Sequence, residues 1–144
     1  MLELNDEELR QAARALDSYN KQLETLSRQV KLLQATRDEA ARAFRALSAL
    51  KDAKEGDEIM VPVGASTYIT VKVTGKNAVV GVGNGVAVEK SLDDAQAYMQ
   101  SQGDEITSAL NEAVSAMQEV QSYTQELADA IQQEYRQRQA NGVQ

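Results

Sequence analysis

Leu2, Leu9, Leu16, Leu23, Val30, Arg37 and Phe44 recur every seven residues, and Ala12, Tyr19, Leu26, Leu33, Ala40 and Leu47 form a second row three residues behind the first. Only Arg37 interrupts this seam across six heptads. An apolar period of 3.5 held that long makes a narrow stripe that a second helix must cover, so it indicates a coiled coil rather than a helix on a globule. Asn5 followed by Glu8 has the spacing of a capping box and places the helix start there. The last third of the chain repeats the pattern more weakly. Leu92, Met99, Ile106, Ala113, Val120 and Leu127 form one row there, and Leu110, Met117, Thr124 and Ile131 the other. Ala95, Ala109, Ala116 and Ala130 form a third row, small enough for a partner helix to approach closely. Ser91, with Asp93 and Asp94 behind it, is a good helix start, because carboxylates favour the positive end of a helix dipole. Gly103 weakens this helix by up to ~1 kcal/mol relative to Ala.

Between the two helices the period changes from 3.5 to 2. Six of the eight Gly and the only Pro lie between Gly56 and Gly85. Ile59, Val61 and Val63 alternate, as do Thr67, Ile69, Val71 and Val73, with Gly64-Ala65-Ser66 between them. A second hairpin follows, Ala78–Val82 and Val86–Lys90 around Gly83-Asn84-Gly85, with Val80, Val82, Val86 and Val88 as its apolar residues. Pro62 cannot donate to a ladder, so its strand is expected at an edge or with a bulge. The expected division is 1–55 first coiled-coil helix, 56–90 two β-hairpins, and 91–144 second coiled-coil helix and tip. The fold class is α+β: a long antiparallel two-helix coiled coil with two β-hairpins inserted between the helices. Two helices of about 48 residues would each span ~70 Å. A sheet unit of about 35 residues with open edges invites pairing with other chains, so oligomerisation is expected from the layout alone.

The chain contains no Cys, His or Trp, which removes zinc fingers, haem ligands, thiol nucleophiles, Ser-His triads and disulfide frameworks. Six aromatics, Phe44 and five Tyr, are too few for a thick globular core. No apolar run approaches the ~20 residues of a membrane span. The opening MLELNDEELR is too acidic for a signal peptide. A cytoplasmic protein with no membrane partner is the expectation. Net charge is −7, and residues 91–144 carry all of it. Arg14, Lys21, Arg28 and Arg42 form a basic row on the first helix and Glu105, Glu112, Glu119 and Glu126 an acidic row on the second, both read as solvated faces. The basic row is balanced by interleaved acids, and phosphate binding needs surplus positive charge, so no nucleic acid is expected. Gly81, Gly83 and Gly85 lack the third Gly and following helix of a dinucleotide site, and Gly75-Lys76 lacks the rest of a P-loop. Carboxylate pairs such as Asp93-Asp94 and Asp104-Glu105 fall on exposed helix, without the burial that tunes a catalytic pair. No catalytic constellation, cofactor site or metal site is found, so the chain is not read as an enzyme.

The stretch EGDEIMVPVGASTYITVKV (55–73), followed by VVGVGNGVAVEKSLDDAQAYM (79–99), resembles the α class of archaeal prefoldin subunits. Acidic residues precede a V-P-V-G strand, a glycine-punctuated second hairpin follows, and Glu89-Lys90 leads into the second helix. Two hairpins rather than one mark the α class. The resemblance implies that two α-class chains pair through their hairpins and that four prefoldin β subunits add theirs to form a double β-barrel. Six coiled coils would hang from that platform. It implies an ATP-independent holdase that captures non-native client proteins at the coiled-coil tips and passes them to a group II chaperonin.

No tip motif transfers residue by residue, so site residues rest on position and apolarity. Leu2, Leu4, Leu9, Ile131 and Tyr135 are the expected client-binding residues, exposed because helix ends fray. Ile59, Val61, Val63, Ile69, Val71, Val73, Val80, Val82, Val86 and Val88 are the expected oligomerisation residues. The alternatives are a γ-type prefoldin that forms filaments and a structural coiled-coil scaffold without client binding.

Overall fold

The structure, a computed structural model, describes residues 4–142. Helix α1 spans Asp6–Lys51 and helix α2 spans Leu92–Asn141. Between them lie β1 (Glu58–Gly64), β2 (Thr67–Lys72), β3 (Asn77–Gly83) and β4 (Val86–Ser91). β1 pairs with β2 and β3 with β4, each antiparallel, as two separate two-stranded sheets. The fold is therefore two long helices with two hairpins between them.

The helix boundaries follow from capping chemistry. Glu8 N donates to Asn5 Oδ1 at 2.8 Å, and Asp6, Glu7 and Glu8 fill the first turn of α1 at its positive end. Asp94 N donates to Ser91 Oγ at 3.1 Å and starts α2 in the same way. At the other end of α1, Lys76 Nζ donates to the Lys51 carbonyl at 2.8 Å and also to the Ala53 carbonyl. That places a cation on carbonyls left unpaired at the negative end of the helix. α2 passes through Gly103 without interruption.

Among the described residues, those up to Ala35 and those from Thr107 onward form one compact unit, and Thr36–Ile106 form another. In the first unit the helices run antiparallel. Arg138 Nη1 meets Asp6 Oδ1 at 2.7 Å, the Tyr19 and Tyr123 rings lie 6.2 Å apart, and Val30 packs with Leu110 and Ala113. The seam read from the sequence is the buried stripe. Leu9 and Val30 are buried, and Ala12, Leu16, Tyr19, Leu23, Leu26 and Leu33 are half-buried; Leu2, the first member of the row, lies outside the described residues. On α2, Leu110 and Ala113 are buried and Met117, Val120, Thr124, Leu127 and Ile131 half-buried. The third alanine row is less regular: Ala116 is half-buried, but Ala109 and Ala130 face solvent.

In the second unit, Arg37, Ala40, Phe44 and Leu47 continue the seam half-buried, with Leu92 and Ala95 buried on α2. Lys51 Nζ reaches Asp93 Oδ1 at 2.6 Å and Gln96 Oε1 at 3.3 Å. The hairpins share one design. Ala65-Ser66 and Asn84-Gly85 are two-residue turns with positive φ at both positions (48° and 58°; 55° and 74°), as the twist of a tight hairpin demands. Gly64 and Gly83, read from the sequence as loop, are instead the last paired residues, opposite Thr67 and Val86. One residue before each, the register slips: Val63 and Val82 are bulged out. Pro62 sits directly beside the first bulge, where its missing N–H costs the ladder least.

Candidate functional site

Two surfaces carry chemistry that the folded chain leaves unused. The first is the hairpin pair. Cross-strand register puts Ile59 opposite Val71 and Val61 opposite Ile69, and Val80 opposite Val88. Val80 and Val73 are buried, and Ile59, Val61 and Val71 half-buried. Val63, Ile69, Val82, Val86 and Val88 remain exposed, as do Met60, Tyr68 and Val79, the last at 74%. Most of the exposed large apolar side chains described in the chain thus lie on the hairpins. Val73 falls one residue beyond β2, yet it extends the ladder: its N–H donates to Asp57 O at 2.8 Å and its carbonyl accepts from Gly56 N at 2.7 Å. Each two-stranded sheet also keeps unpaired backbone groups along both outer edges.

The second surface is the end of the helix pair in the first unit, where the first turn of α1 meets the last turns of α2. Of the client-binding residues expected there, Tyr135 is exposed, Leu4 and Ile131 are half-buried, and Leu9 is buried in the seam. Leu4 precedes the Asn5 cap and Leu9 is the fourth helical residue, the two positions of a hydrophobic staple, and Leu9 is also a member of the seven-residue row that the seam covers. The exposure expected from fraying is therefore met by Tyr135 but not by Leu9.

A polar cluster that the sequence reading missed holds this end together. One heptad beyond Leu127 and Ile131, the seam positions are Glu134 and Arg138, and Glu134 is buried to 7% exposure. Leu4 N donates to Glu134 Oε2 at 3.2 Å, and Arg138 Nε donates to Glu134 Oε1 at 3.0 Å. Arg138 Nη2 donates to the Leu4 carbonyl at 3.1 Å, and Nη1 to Asp6 Oδ1 at 2.7 Å. The Arg138 guanidinium, followed by the Leu4 amide, holds the Glu134 carboxyl below its ordinary range, with burial and Asp6 opposing. The Arg138 guanidinium is correspondingly raised by Glu134 and then Asp6. The signal was available: extending both α2 rows by one heptad puts a Glu and an Arg four residues apart in an apolar seam.

Elsewhere, Tyr123 OH donates to Glu119 Oε1 at 3.1 Å, which with the carboxylate charge raises the phenol above its ordinary value. The basic and acidic rows are solvent-exposed. Among the described residues no group of three or more carboxylates is placed to hold a metal ion. Among the described residues no helix is long and apolar enough to cross a membrane.

The family model of the prefoldin subunit matches residues 19–137. The chain belongs to the prefoldin family. It is 30% identical over 131 residues to the prefoldin subunit alpha of Pyrococcus horikoshii, covering 90% of this chain and 88% of that one. It is 32% identical over 97 residues to the prefoldin subunit alpha of Methanothrix thermoacetophila, a match spanning 67% of this chain and 63% of the relative. Among solved structures it is similar to a chain in the cryo-EM structure of filamentous PFD from Methanocaldococcus jannaschii, with a TM-score of 0.67 and 25% identity, covering 81% of this chain and 97% of that one. Membership of a chaperone family agrees with the two-hairpin α-class pattern read from residues 55–99.

Proposed function

We propose that the chain is an ATP-independent holdase subunit of the α class. In this reading two copies pair through residues 56–90 and four prefoldin β subunits complete the platform. Non-native clients are held at the helix ends and handed to a group II chaperonin in the cytoplasm. The observation that carries the reading is the partition of apolar surface. Among the described residues the helices turn their large apolar side chains into the seam, save Leu32, Tyr123 and Tyr135, while the hairpins leave Met60, Ile69, Val79 and Val86 exposed on sheets with open edges. Exposed apolar area of that kind marks an association surface. With the hairpins committed to assembly, clients are left the helix ends, where Tyr135 is exposed and Leu4 and Ile131 are half-buried. Several such ends around one cavity add avidity to weak contacts.

Deleting residues 1–8 and 133–144 together tests this division of labour. Sedimentation should give the same stoichiometry as the full chain, while suppression of light scattering from an unfolding client falls sharply. Full protection by the truncated assembly would place the clients elsewhere. A second reading is favoured by the likeness to a filamentous prefoldin: the same hairpins could join copies of this chain end to end. Electron microscopy of the purified chain separates the two, since long rods belong only to the second.

A further inference from the structure

The grip on Leu4 is unusual in what it recognises. Glu134 accepts its N–H at 3.2 Å and Arg138 donates to its carbonyl at 3.1 Å, so both backbone polar groups of one residue are met by a carboxylate and a guanidinium. That is the donor–acceptor couple an adjacent β-strand offers to an extended chain. Neither contact reads a side chain. The pair is preorganised by its own bond, Arg138 Nε to Glu134 Oε1 at 3.0 Å, so both groups keep their geometry whichever residue lies between them.

The pair also occupies positions where packing alone would select apolar residues. With the Glu134 carboxylate buried and the Arg138 side chain open to solvent, the pair must offset the desolvation of the carboxylate and gives little net stability compared with apolar residues of similar volume. Around it the surface suits a chain segment: Ile131 and Tyr135 lie within a turn on the same helix, and a hollow of about 380 Å³ is lined by Glu134, Gln137, Arg138, Asn141 and Gly142. Leu4 is not needed to start the helix. It lies before α1, and the helix is capped independently by Asn5, which accepts from Glu8 N at 2.8 Å.

We propose that Glu134 and Arg138 form a backbone-reading site for extended, non-native polypeptide, occupied in the resting chain by its own Leu4 as a stand-in for a client. The site explains how one end can hold clients of unrelated sequence: Tyr135 and Ile131 supply apolar contact, and the ion pair holds whatever peptide group lies beside them. This rests on the holdase reading above.

The test uses an unstructured apolar decapeptide and the same peptide N-methylated at alternate residues, which deletes N–H donors and leaves the side chains unchanged. Binding is measured by fluorescence anisotropy to the full chain and to a form trimmed by a site-specific protease so that it begins at Asn5, with helix content checked by circular dichroism. Leu4→Pro, which removes the N–H that Glu134 accepts while also fixing φ and shortening the side chain, serves beside Leu4→Ala as the side-chain control if the deletion misfolds. Emptying the site should tighten binding of the unmethylated peptide about tenfold, the worth of one charge-assisted hydrogen bond. N-methylation should erase the gain, and so should Glu134→Met in the deletion background. Equal binding of both peptides by the emptied variant, or weaker binding than by the full chain, would sink the backbone site while leaving the holdase intact. Failure of every form to bind either peptide or to protect an unfolding client would remove the holdase reading, and the site with it.

Discussion

Two leucines on the same helix pair should respond very differently to truncation. Leu110 is 5% exposed and packs into a cluster with Val30 and Ala113, flanked by Leu33, Val114 and Met117. Leu32 is 67% exposed on the outer side of α1. Leu110→Ala removes buried methyl groups and leaves a cavity, which in globular cores costs ~2–5 kcal/mol. A two-helix layer collapses more easily than a globular core, so the lower part of that range applies, about 2.5 kcal/mol. The unfolding entropy of a 144-residue chain at ~2 cal/mol/K per residue is about 0.3 kcal/mol/K, which converts the loss to a drop in Tm of about 8 °C. Leu32→Ala should stay within about 0.5 kcal/mol, under about 2 °C. Far-UV circular dichroism melts of both variants under one set of conditions read the difference directly. Equal shifts would refute the claim that the seven-residue rows are the load-carrying seam, and a larger shift for Leu32 would place the partner helix on the other face.

Three further outcomes follow from the geometry. Glu134 has a folded-state pKa below its ordinary 4.5, so its contribution is complete above that value and lost as pH falls through the lower folded one; exchange of the Leu4 amide with deuterium should be slowed at neutral pH and lose that protection on acidification, and protection unchanged in strong acid would contradict the assignment. Val86→Lys puts a charge on the apolar hairpin surface that the single chain leaves open, at a residue 54% exposed, and should dissociate the proposed assembly while retaining helix content, as read by sedimentation and circular dichroism. Ala65 and Ser66 hold φ of 48° and 58°, a region that costs non-glycine residues roughly 1 kcal/mol each, so Ala65→Asn with Ser66→Gly, copying the Asn84-Gly85 turn, should raise stability in denaturant titration by about 1 kcal/mol, whereas a loss would mean the hairpins do not share a turn geometry.

Much of this molecule was legible in the sequence because its periods are unmixed. The α1 rows from Leu9 to Leu47 needed only a spacing of seven, and Asn5 and Ser91 marked both helix starts by their capping oxygens. The hairpins were legible as strands but not in register. Gly64 and Gly83 read as loop because glycine signals a turn, yet the bulges at Val63 and Val82 return them to the ladder. A one-residue slip leaves no trace in an apolar alternation that valines satisfy on either side. The helix end was the hardest part. Glu134 and Arg138 look like the point where the seam stops, since isolated polar residues at core positions are costly, and only their mutual pairing and the Leu4 peptide group make them part of it. Leu9 was expected to be open because it is near a helix start, but it belongs to the seven-residue row and is buried in the seam.

In the proposed function non-native chains are held at the helix ends rather than along the helices. A photo-crosslinking phenylalanine analogue placed at Tyr135, exposed at 54%, and in a separate protein at Leu32, exposed at 67%, measures this most directly. The two positions differ in location and little in accessibility, so exposure alone cannot separate them. With an unfolded client present and no nucleotide added, irradiation should give client adducts at position 135 and few or none at position 32. Adducts at 32 with none at 135 would contradict the account.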